Sequence, residues 1–374
     1  MKILICTFEY PPEASGIGNF AFNIVNEFKK RGHECTTCSI IGDADIKLGK
    51  VKLLKLFGGL AIMDYWIRIN QYFKRSKYDS VWLHSPLLVS RLPFPNAVLT
   101  MHTTYAGFYK MSRQLKYPIH IQIFYYLMQR LETHVLSQLA LYQITYVSDS
   151  IKSELDEMGI RTDQQILVLP GVDTNRFKPV KDKSLIRNKF DVPCDKLVFL
   201  YVGRLEGQKR IPALINIMLE LKNTLPHLQL IIVGDGQYKD TVNQLASGHD
   251  EIRYFGYVSS DILPDIYAMS DLFMMTSEYE GQPAAIMEAM ASGLPPILSN
   301  IPVFENIIES SNSGIILDSM GPITAAAQIK DYILNSNMDD ESRKARIYAN
   351  ENLGLAICAE RILDLLHRNA ITYI

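Results

Sequence analysis

Short apolar segments alternate with segments of helical periodicity along most of this chain. Segments such as ILICTF near the start and LQLIIV in the second half have the length and composition of buried strands. Segments such as FAFNIVNEFKKRGH and IPALINIMLELKNTL repeat their apolar residues at helical spacing. Strands and helices in alternation predict a parallel sheet with helices on both of its faces. The sequence therefore predicts an α/β protein.

The alternation is interrupted once, by a polar stretch with prolines over residues 173–195. Because the same pattern starts again afterwards, we interpret this stretch as a linker with a short helix, between two doubly wound, Rossmann-like domains. The domains are predicted at 1–178 and 179–353, and 374 residues suit two domains. Ligands of such sheets bind beyond the carboxyl ends of the strands. We therefore expect the site in a cleft across which the two domains face each other.

Composition and charge exclude several classes of protein. Charged residues make up 21% of the chain and apolar residues 48%, as in soluble globular proteins. The net charge of -2 argues against nucleic-acid binding. Five scattered cysteines favour a reducing compartment over a disulfide framework. There is no signal-peptide pattern and no apolar run of the ~20 residues that a membrane span needs. We therefore expect a cytoplasmic protein.

The first predicted domain carries an excess of basic residues. Between Lys29 and Arg130 the chain has sixteen lysines and arginines but only five acidic residues. Such an excess suits an anionic acceptor or an anionic membrane surface, which would place the protein at the inner face of the cell membrane. The alternative is that these side chains only solvate helix faces.

The segment SEYEGQPAAIMEAMASGLPPILS, residues 277–299, indicates a binding site for a sugar nucleotide. Glu280 follows a predicted strand, Pro283 suits the first helical position, and Gly293 suits the helix end. The free amides at such a helix start can bind a phosphate. A carboxylate such as Glu288 on this helix can accept hydrogen bonds from vicinal sugar hydroxyls. The alternative is that Glu280 and Glu288 are solvated surface residues.

Two cations follow the first predicted strand of the second domain. Arg204 and Lys209 lie in the segment LVFLYVGRLEGQKR and could stabilise a diphosphate as it leaves. The alternative is a solvated basic loop. Gly234 and Gly236 flank Asp235 in a turn after the next strand, where a flat nucleobase could approach the backbone.

Three further features of the first domain concern its chemistry. Gly16 and Gly18 lie in a predicted loop before a helix and match a dinucleotide fingerprint, although too far from the preceding strand. The loop could still approach a phosphate. His102 ends the strand AVLTMH, where it could be a ligand-contacting or a structural residue. Asp43 and Asp45 have the spacing of a metal-binding pair, but lie away from any predicted strand end, so we expect no metal site.

These segments, taken together, resemble the retaining glycosyltransferases of family 4, which have the GT-B fold. SEYEGQPAAIMEAMASGLP resembles the donor-binding motif of that family, and EYPPEASGIGNFAFNIVNEFKKRGHE resembles its N-terminal glycine loop and helix. VLTMH, VGRLEGQKR, IIVGDG and FGYV follow in the order of the family's segments. The resemblance covers most of residues 1 to about 300. It also implies that the last helix, about 354–374, packs back on the first domain.

The resemblance implies a role for each candidate residue. Arg204 and Lys209 would bind the donor diphosphate, which makes a metal or other cofactor unnecessary. Glu288 would hold the ribose, Glu280 would contact the donor sugar, and His102 would lie against the transferred sugar. Further positions would line the donor with backbone or small side chains: Gly16, Gly18, Gly203, Gly234, Val258, Gly281, Gln282, Pro283 and Ala284.

The implied activity is transfer of a hexose from a UDP- or GDP-sugar to a hydroxyl acceptor, with retention of configuration. The acceptor would be a lipid-linked or cell-envelope glycan, or a soluble saccharide. Two alternatives remain: a nucleotide-sugar epimerase of the same plan, and a non-catalytic subunit that binds a sugar nucleotide. The chain departs from the family at Gln282 and Pro283, where Phe-Gly is frequent, and at Arg210, where Gly is common. Pro283 lacks an amide that often contacts the sugar.

Overall fold

The computed structural model describes residues 1–12, 16–48, 64–69, 71, 78–85, 97–139, 142–160, 165–169, 171–281 and 283–372. The chain forms two compact units. The first unit contains residues 1–171 together with 355–374, and the second contains residues 172–354. The division after Gly171 precedes the boundary inferred from the sequence by seven residues. No helix among the described residues is long and apolar enough to span a bilayer.

The first unit is a seven-stranded sheet with the strand order β3-β2-β1-β4-β5-β6-β7, in which every described pair is parallel. Its elements are β1 (Lys2–Cys6), α1 (Gly16–Lys30), β2 (Glu34–Ser39), β3 (Ile46–Lys47), α2 (64–69), β4 (Ser80–His84), β5 (Ala97–Met101), α3 (Tyr105–Gln114), α4 (Ile119–Gln138), β6 (Gln143–Tyr146), α5 (Asp149–Glu157), β7 (Gln165–Leu167) and α14 (Leu355–Thr372).

Apolar side chains bury both faces of this sheet. On one face, Phe28 and Val25 of α1 pack with Ile362 and Leu366 of α14. On the other face, Trp66 packs with residues of α4 and with the inward side chains of β1, β4 and β5. Burial on both sides explains why these strands are continuous apolar runs in the sequence. The C-terminal helix α14 is therefore part of the first unit, although it follows the second unit along the chain.

The second unit is a six-stranded parallel sheet with the order β10-β9-β8-β11-β12-β13. Its elements are α6 (Ser184–Lys189), β8 (Leu197–Val202), the 3-10 helix η1 (Gly207–Lys209), α7 (Ile211–Lys222), β9 (Leu228–Val233), α8 (Lys239–Gly248), β10 (Ile252–Gly256), α9 (Leu263–Met269), β11 (Leu272–Met275), α10 (Ala284–Ala291), β12 (Pro296–Ser299), α11 (Pro302–Ser311), β13 (Ile315–Leu317), α12 (Pro322–Asn335) and α13 (Met338–Asn352).

The strand order of the second unit has a topological switch between β8 and β11. The chain builds outward from β8 to β10 in one direction, and from β11 to β13 in the other. Loops that leave the two central strands therefore diverge and open a crevice at their carboxyl ends. The predicted donor residues lie in these loops: Arg204 and Lys209 follow β8, and Glu280 follows β11.

The stretch 173–195 belongs to the second unit, although it was predicted as a linker. The buried guanidinium of Arg187 on α6 ties it to the sheet. Nη2 of Arg187 donates to Asp271 at 2.7 Å, and the carboxylate of Asp271 also accepts the Val198 amide at 2.8 Å. The other guanidinium hydrogen bonds go to main-chain carbonyls, those of Met269, Cys194 and Lys196. This buried charge is thus fully compensated.

Candidate functional site

Lys209 and Glu280 meet at the switch point of the second unit. The ammonium of Lys209, the last residue of η1, forms an ion pair with Oε1 of Glu280, and both side chains are buried. The hydroxyl of Thr276, just past β11, donates to the main-chain carbonyl of Lys209 at 2.8 Å. The loop after β8 is thereby held against the loop after β11. The structure brings together two residues that are 71 positions apart in the sequence.

The Lys209–Glu280 pair has a chemical consequence. Each charge is removed from water, so each depends on the other for compensation. An incoming anion can replace the carboxylate as the partner of Lys209, and the displaced carboxylate then becomes an acceptor for hydroxyl groups. A diphosphate that carries a sugar supplies both partners at once.

Arg204 differs from Lys209 because its side chain is exposed. It is 65% exposed, and its Nη1 donates to Glu206 two residues later at 2.7 Å. The backbone at Arg204 is fixed, since its carbonyl accepts the hydroxyl of the buried Tyr201 at 3.0 Å. Because the backbone is fixed and the side chain is exposed, the guanidinium of Arg204 can turn toward an anion without breaking a buried contact.

Gly203 and Gly234 let the loops after β8 and β9 pack directly together. Gly234 has a φ of +141°, and a Cβ there would lie 1.8 Å from the carbonyl oxygen of Gly203. Next to this contact, the amide of Leu205 donates to the carbonyl of Asp235 at 2.9 Å. The structure thus gives the turn a packing role that any side chain at Gly234 would abolish. Val258, the predicted nucleobase contact, lies past the end of β10 and is partly exposed.

The start of helix α10 differs from the position predicted from the sequence, whereas its end agrees with the prediction. Pro283 does not take the first helical position: its ψ of 120° is extended, and α10 begins at Ala284. Gly281 and Pro283, which lie between β11 and α10, are both buried. Gly293, with a φ of +76°, ends the helix as predicted, by donating to the Met290 carbonyl at 3.0 Å. Ala284 is exposed, and Gln282 lies outside the described residues.

Glu288 lies on α10, one turn after the helix start. Its Oε2 accepts the hydroxyl of the buried Tyr267 at 2.9 Å. Burial raises the pKa of Glu288 to about 7, although the Tyr267 hydrogen bond and the charge of Arg176 oppose the rise. Near neutral pH the carboxyl group is therefore divided between its protonated and ionised forms. Hydroxyl groups of a ligand would favour the ionised form, because it offers more acceptor sites.

In the first unit, Gly16 and Gly18 lie in the first turn of α1, not in the loop where they were predicted. The helix begins at Gly16, four residues before the start at Phe20 that the apolar spacing predicted. The amide of the buried Gly18 donates to Oε1 of Glu9 at 3.4 Å, so a carboxylate lies at this helix start.

His102 follows β5 directly and is almost fully buried. Its Nε2 lies 2.9 Å from Nδ1 of His84, the last residue of β4. Burial lowers the pKa of His102 to about 3 and the pKa of His84 well below its usual range. Both rings are therefore neutral at physiological pH. His84 was not among the residues predicted from the sequence, although it is the last residue of the strand SVWLH.

Asp43 and Asp45, the considered metal pair, have other contacts. Oδ2 of Asp45 accepts the amide and the hydroxyl of Thr37 at 2.8 and 2.7 Å, and Asp43 lies 3.6 Å from the ammonium of Lys47. Within the described part of the chain, no three His, Cys, Asp or Glu residues are grouped as metal ligands.

Two family models match the chain, one in each half. Residues 14–176 match the model described as Glycosyltransferase Family 4, and residues 182–352 match the model described as Glycosyl transferases group 1. Together the two matches cover most of the chain. Among curated relatives, the alpha-monoglucosyldiacylglycerol synthase of Acholeplasma laidlawii is 23% identical and aligns over 99% of this chain and 98% of its own. The chain spans only 34% to 63% of the length of three other curated relatives.

Solved structures show the same fold at low sequence identity. WaaG, a glycosyltransferase involved in lipopolysaccharide biosynthesis, has a TM-score of 0.76 at 15% identity, over 97% of this chain and 99% of its own. HepE of Anabaena, in complex with UDP and glucose, has a TM-score of 0.73 at 17% identity, over 98% of this chain and 100% of its own. The chain therefore belongs to glycosyltransferase family 4 and has the GT-B fold.

Proposed function

We propose that the protein is a retaining, metal-independent hexosyltransferase that uses a UDP- or GDP-sugar as donor. The observation that carries this proposal is the buried ion pair between Lys209 and Glu280 at the switch point of the second unit. On donor binding, the ammonium of Lys209 and the guanidinium of Arg204 take the diphosphate as their partner. Both cations stabilise the charge that develops on the leaving diphosphate as the bond to the sugar breaks.

The same pair supports retention without a protein nucleophile. Once Lys209 takes the diphosphate as its partner, the released carboxylate of Glu280 accepts hydroxyl groups of the donor sugar, and we assign it no nucleophilic role. In the proposed reaction, the acceptor hydroxyl attacks from the face that the diphosphate leaves, and its proton passes to a leaving phosphate oxygen. Glu288 holds the ribose, and Glu280 and the buried Gly281 contact the donor sugar. His102 lies against the transferred sugar.

We further propose a lipid-linked acceptor at an anionic membrane surface, based on the outer face of α4. Ile119, Ile123 and Leu127 are spaced four residues apart and are 70%, 52% and 59% exposed. Phe124 and Tyr126 extend this apolar face. Residues at such spacing lie on one side of a helix, and a row of exposed apolar residues marks an interaction surface.

The charges around this face suit an anionic lipid surface. Four exposed cations lie on α3, on α4 and between them: Lys110, Arg113, Lys116 and Arg130. Over residues 105–138 the one acidic residue is Glu132, which is buried. An apolar face bordered by cations binds a membrane interface through both burial and charge. The two relatives named for a diacylglycerol product and for lipopolysaccharide biosynthesis support the same acceptor class. The protein would then work on the cytoplasmic side of the membrane.

The donor proposal is tested by transfer from labelled UDP-glucose and GDP-mannose in excess EDTA. The double variant Lys209→Met/Glu280→Gln removes both buried charges together, so neither is left unpaired. We expect it to fold and to lose transfer, whereas Lys189→Ala, an exposed lysine, keeps it. Wild-type rates in the double variant, or loss of activity in EDTA, would contradict the proposal. Product without any acceptor would favour an epimerase, and binding without turnover would favour a non-catalytic subunit.

The acceptor proposal is tested by cosedimentation with vesicles. We expect binding to phosphatidylglycerol vesicles and not to phosphatidylcholine vesicles, with loss of binding in Ile123→Glu/Leu127→Glu. Leu334→Glu is the matched control, because Leu334 is 64% exposed in the second unit. Equal binding of the α4 variant and the control variant would contradict the membrane proposal and leave a soluble saccharide as the acceptor.

A further inference from the structure

His84 and His102 form a pair of directly contacting imidazole rings at the carboxyl ends of β4 and β5. The two strands are neighbours, and His84 lies opposite Thr100 in their register. The ring planes are only 18° apart and the centroids 5.2 Å apart, and the nitrogens that face each other are 2.9 Å apart, so the two rings meet edge to edge. This distance is that of a hydrogen bond, so one of the two nitrogens carries a proton and the other accepts it.

Neutral imidazoles allow two arrangements of this pair. Either Nδ1–H of His84 donates to a bare Nε2 of His102, or Nε2–H of His102 donates to a bare Nδ1 of His84. In a neutral ring the second nitrogen has the opposite role. The choice therefore also decides whether the other nitrogen of His102, Nδ1, is a donor or an acceptor.

The surroundings of His84 select the first arrangement. Its Nε2 is buried and has no hydrogen-bond partner among the residues that the structure describes. The ring lies against Trp82, with centroids 4.1 Å apart, and edge-on to Phe20 at 6.0 Å. In this apolar pocket, a proton on Nε2 would be an orphaned buried donor, which is rarer in proteins than an orphaned acceptor. The proton of His84 is thus placed on Nδ1, where His102 accepts it.

We propose that His84 is a positioning residue that fixes His102 in its Nδ1–H tautomer. His102 then presents a neutral hydrogen-bond donor to the substrate, and acts neither as a base nor as a cation. The preferred partner is an acceptor oxygen, such as a hydroxyl of the transferred sugar. This last step rests on the proposed function, which places His102 against that sugar. The fixed tautomer itself rests on the His84 contacts alone.

The tautomer is tested by nitrogen NMR of protein with ¹⁵N-labelled histidine, with signals assigned through His84→Asn and His102→Asn. We expect His102 to show a protonated Nδ1 and a bare Nε2 over the whole neutral pH range. A protonated Nε2 on His102, or titration of its ring near neutral pH, would overturn the proposal. This measurement needs no activity, so it separates the tautomer from the proposed function.

The positioning role is tested by two substitutions of His84 in the transfer assay. The amide of His84→Asn can place an N–H near the position of Nδ1, whereas His84→Leu cannot donate. We expect kcat to fall about tenfold in His84→Leu with the donor KM unchanged, and to be largely restored in His84→Asn. Equal kcat values in folded Leu and Asn variants would overturn the role. If the leucine variant fails to fold, the asparagine variant and the NMR measurement still decide it.

Discussion

Replacing Glu288 with glutamine is expected to stabilise the protein at high pH and to weaken donor binding. Burial raises the pKa of Glu288 from 4.5 to about 7. A shift of this size corresponds to about 3 kcal/mol, at about 1.4 kcal/mol for each pK unit. The folded protein thus binds this proton more tightly than the unfolded chain does. The associated stability is complete below pH 4.5 and is lost as the pH rises to about 7.

The variant Glu288→Gln cannot ionise, and its side-chain oxygen can still accept the Tyr267 hydroxyl. Its stability advantage over wild type should therefore grow by about 2 kcal/mol between pH 5 and pH 8. Urea unfolding at both pH values, followed by circular dichroism, measures the advantage. Tryptophan fluorescence is unsuitable, because Trp66 and Trp82 both lie in the first unit. Glu309→Gln, an exposed position on α11, is the control and should show no such growth.

The same substitution separates stability from function. If Glu288 accepts ribose hydroxyls, the glutamine variant should bind the nucleotide more weakly at pH 8 although it is more stable. A residue that strengthens binding at the expense of stability is common where a binding site holds a desolvated charge. An advantage that stays constant from pH 5 to pH 8 would refute the reasoning about burial. Unchanged nucleotide affinity would refute the ribose role.

Other substitutions test the packing around the site. Gly234→Ala should cost several kcal/mol, because its Cβ would collide with Gly203, whereas Gly248→Ala has open space and should be neutral or slightly stabilising; thermal unfolding compares them. Arg187→Ala should cost about 3 kcal/mol, since it leaves three main-chain carbonyls without their buried donor while Asp271 keeps its pair with Lys183, and Lys189→Ala less than about 1 kcal/mol. Urea unfolding of both variants checks this, and similar losses would show that the Arg187 network contributes little.

The architecture was predictable because the spacing of apolar residues along the sequence reflects which faces of each strand and helix are buried. Strands buried on both faces leave continuous apolar runs, and α1 and α7 leave helical spacing, so both parallel sheets follow from the pattern. The membership of 173–195 in the second unit was not predictable. It depends on Arg187 reaching a carboxylate 84 positions away, and polar sequence alone looks like a linker.

The location of the candidate residues at strand ends was predictable, whereas their contacts were not. Arg204, Lys209 and Glu280 were predicted to follow strand ends, and the structure places them in the loops after β8 and β11, at the switch point of the second unit. The direct ion pair between two of them needs the register of β8 and β11, which no local pattern encodes. His84 was missed because its contact with His102 depends on the pairing of β4 with β5, which no local pattern shows.

In the proposed function, the second unit binds a nucleotide diphosphate sugar through its cations, without a metal. Thermal-shift measurement with UDP, GDP, ADP and their sugar conjugates in EDTA tests it most directly, because a ligand of the folded state raises its apparent stability. We predict a rise with UDP or GDP compounds in wild type. Arg204→Ala, whose side chain is exposed, should fold normally and lose most of that rise. No rise with any nucleotide, or an equal rise in Arg204→Ala, would contradict the account.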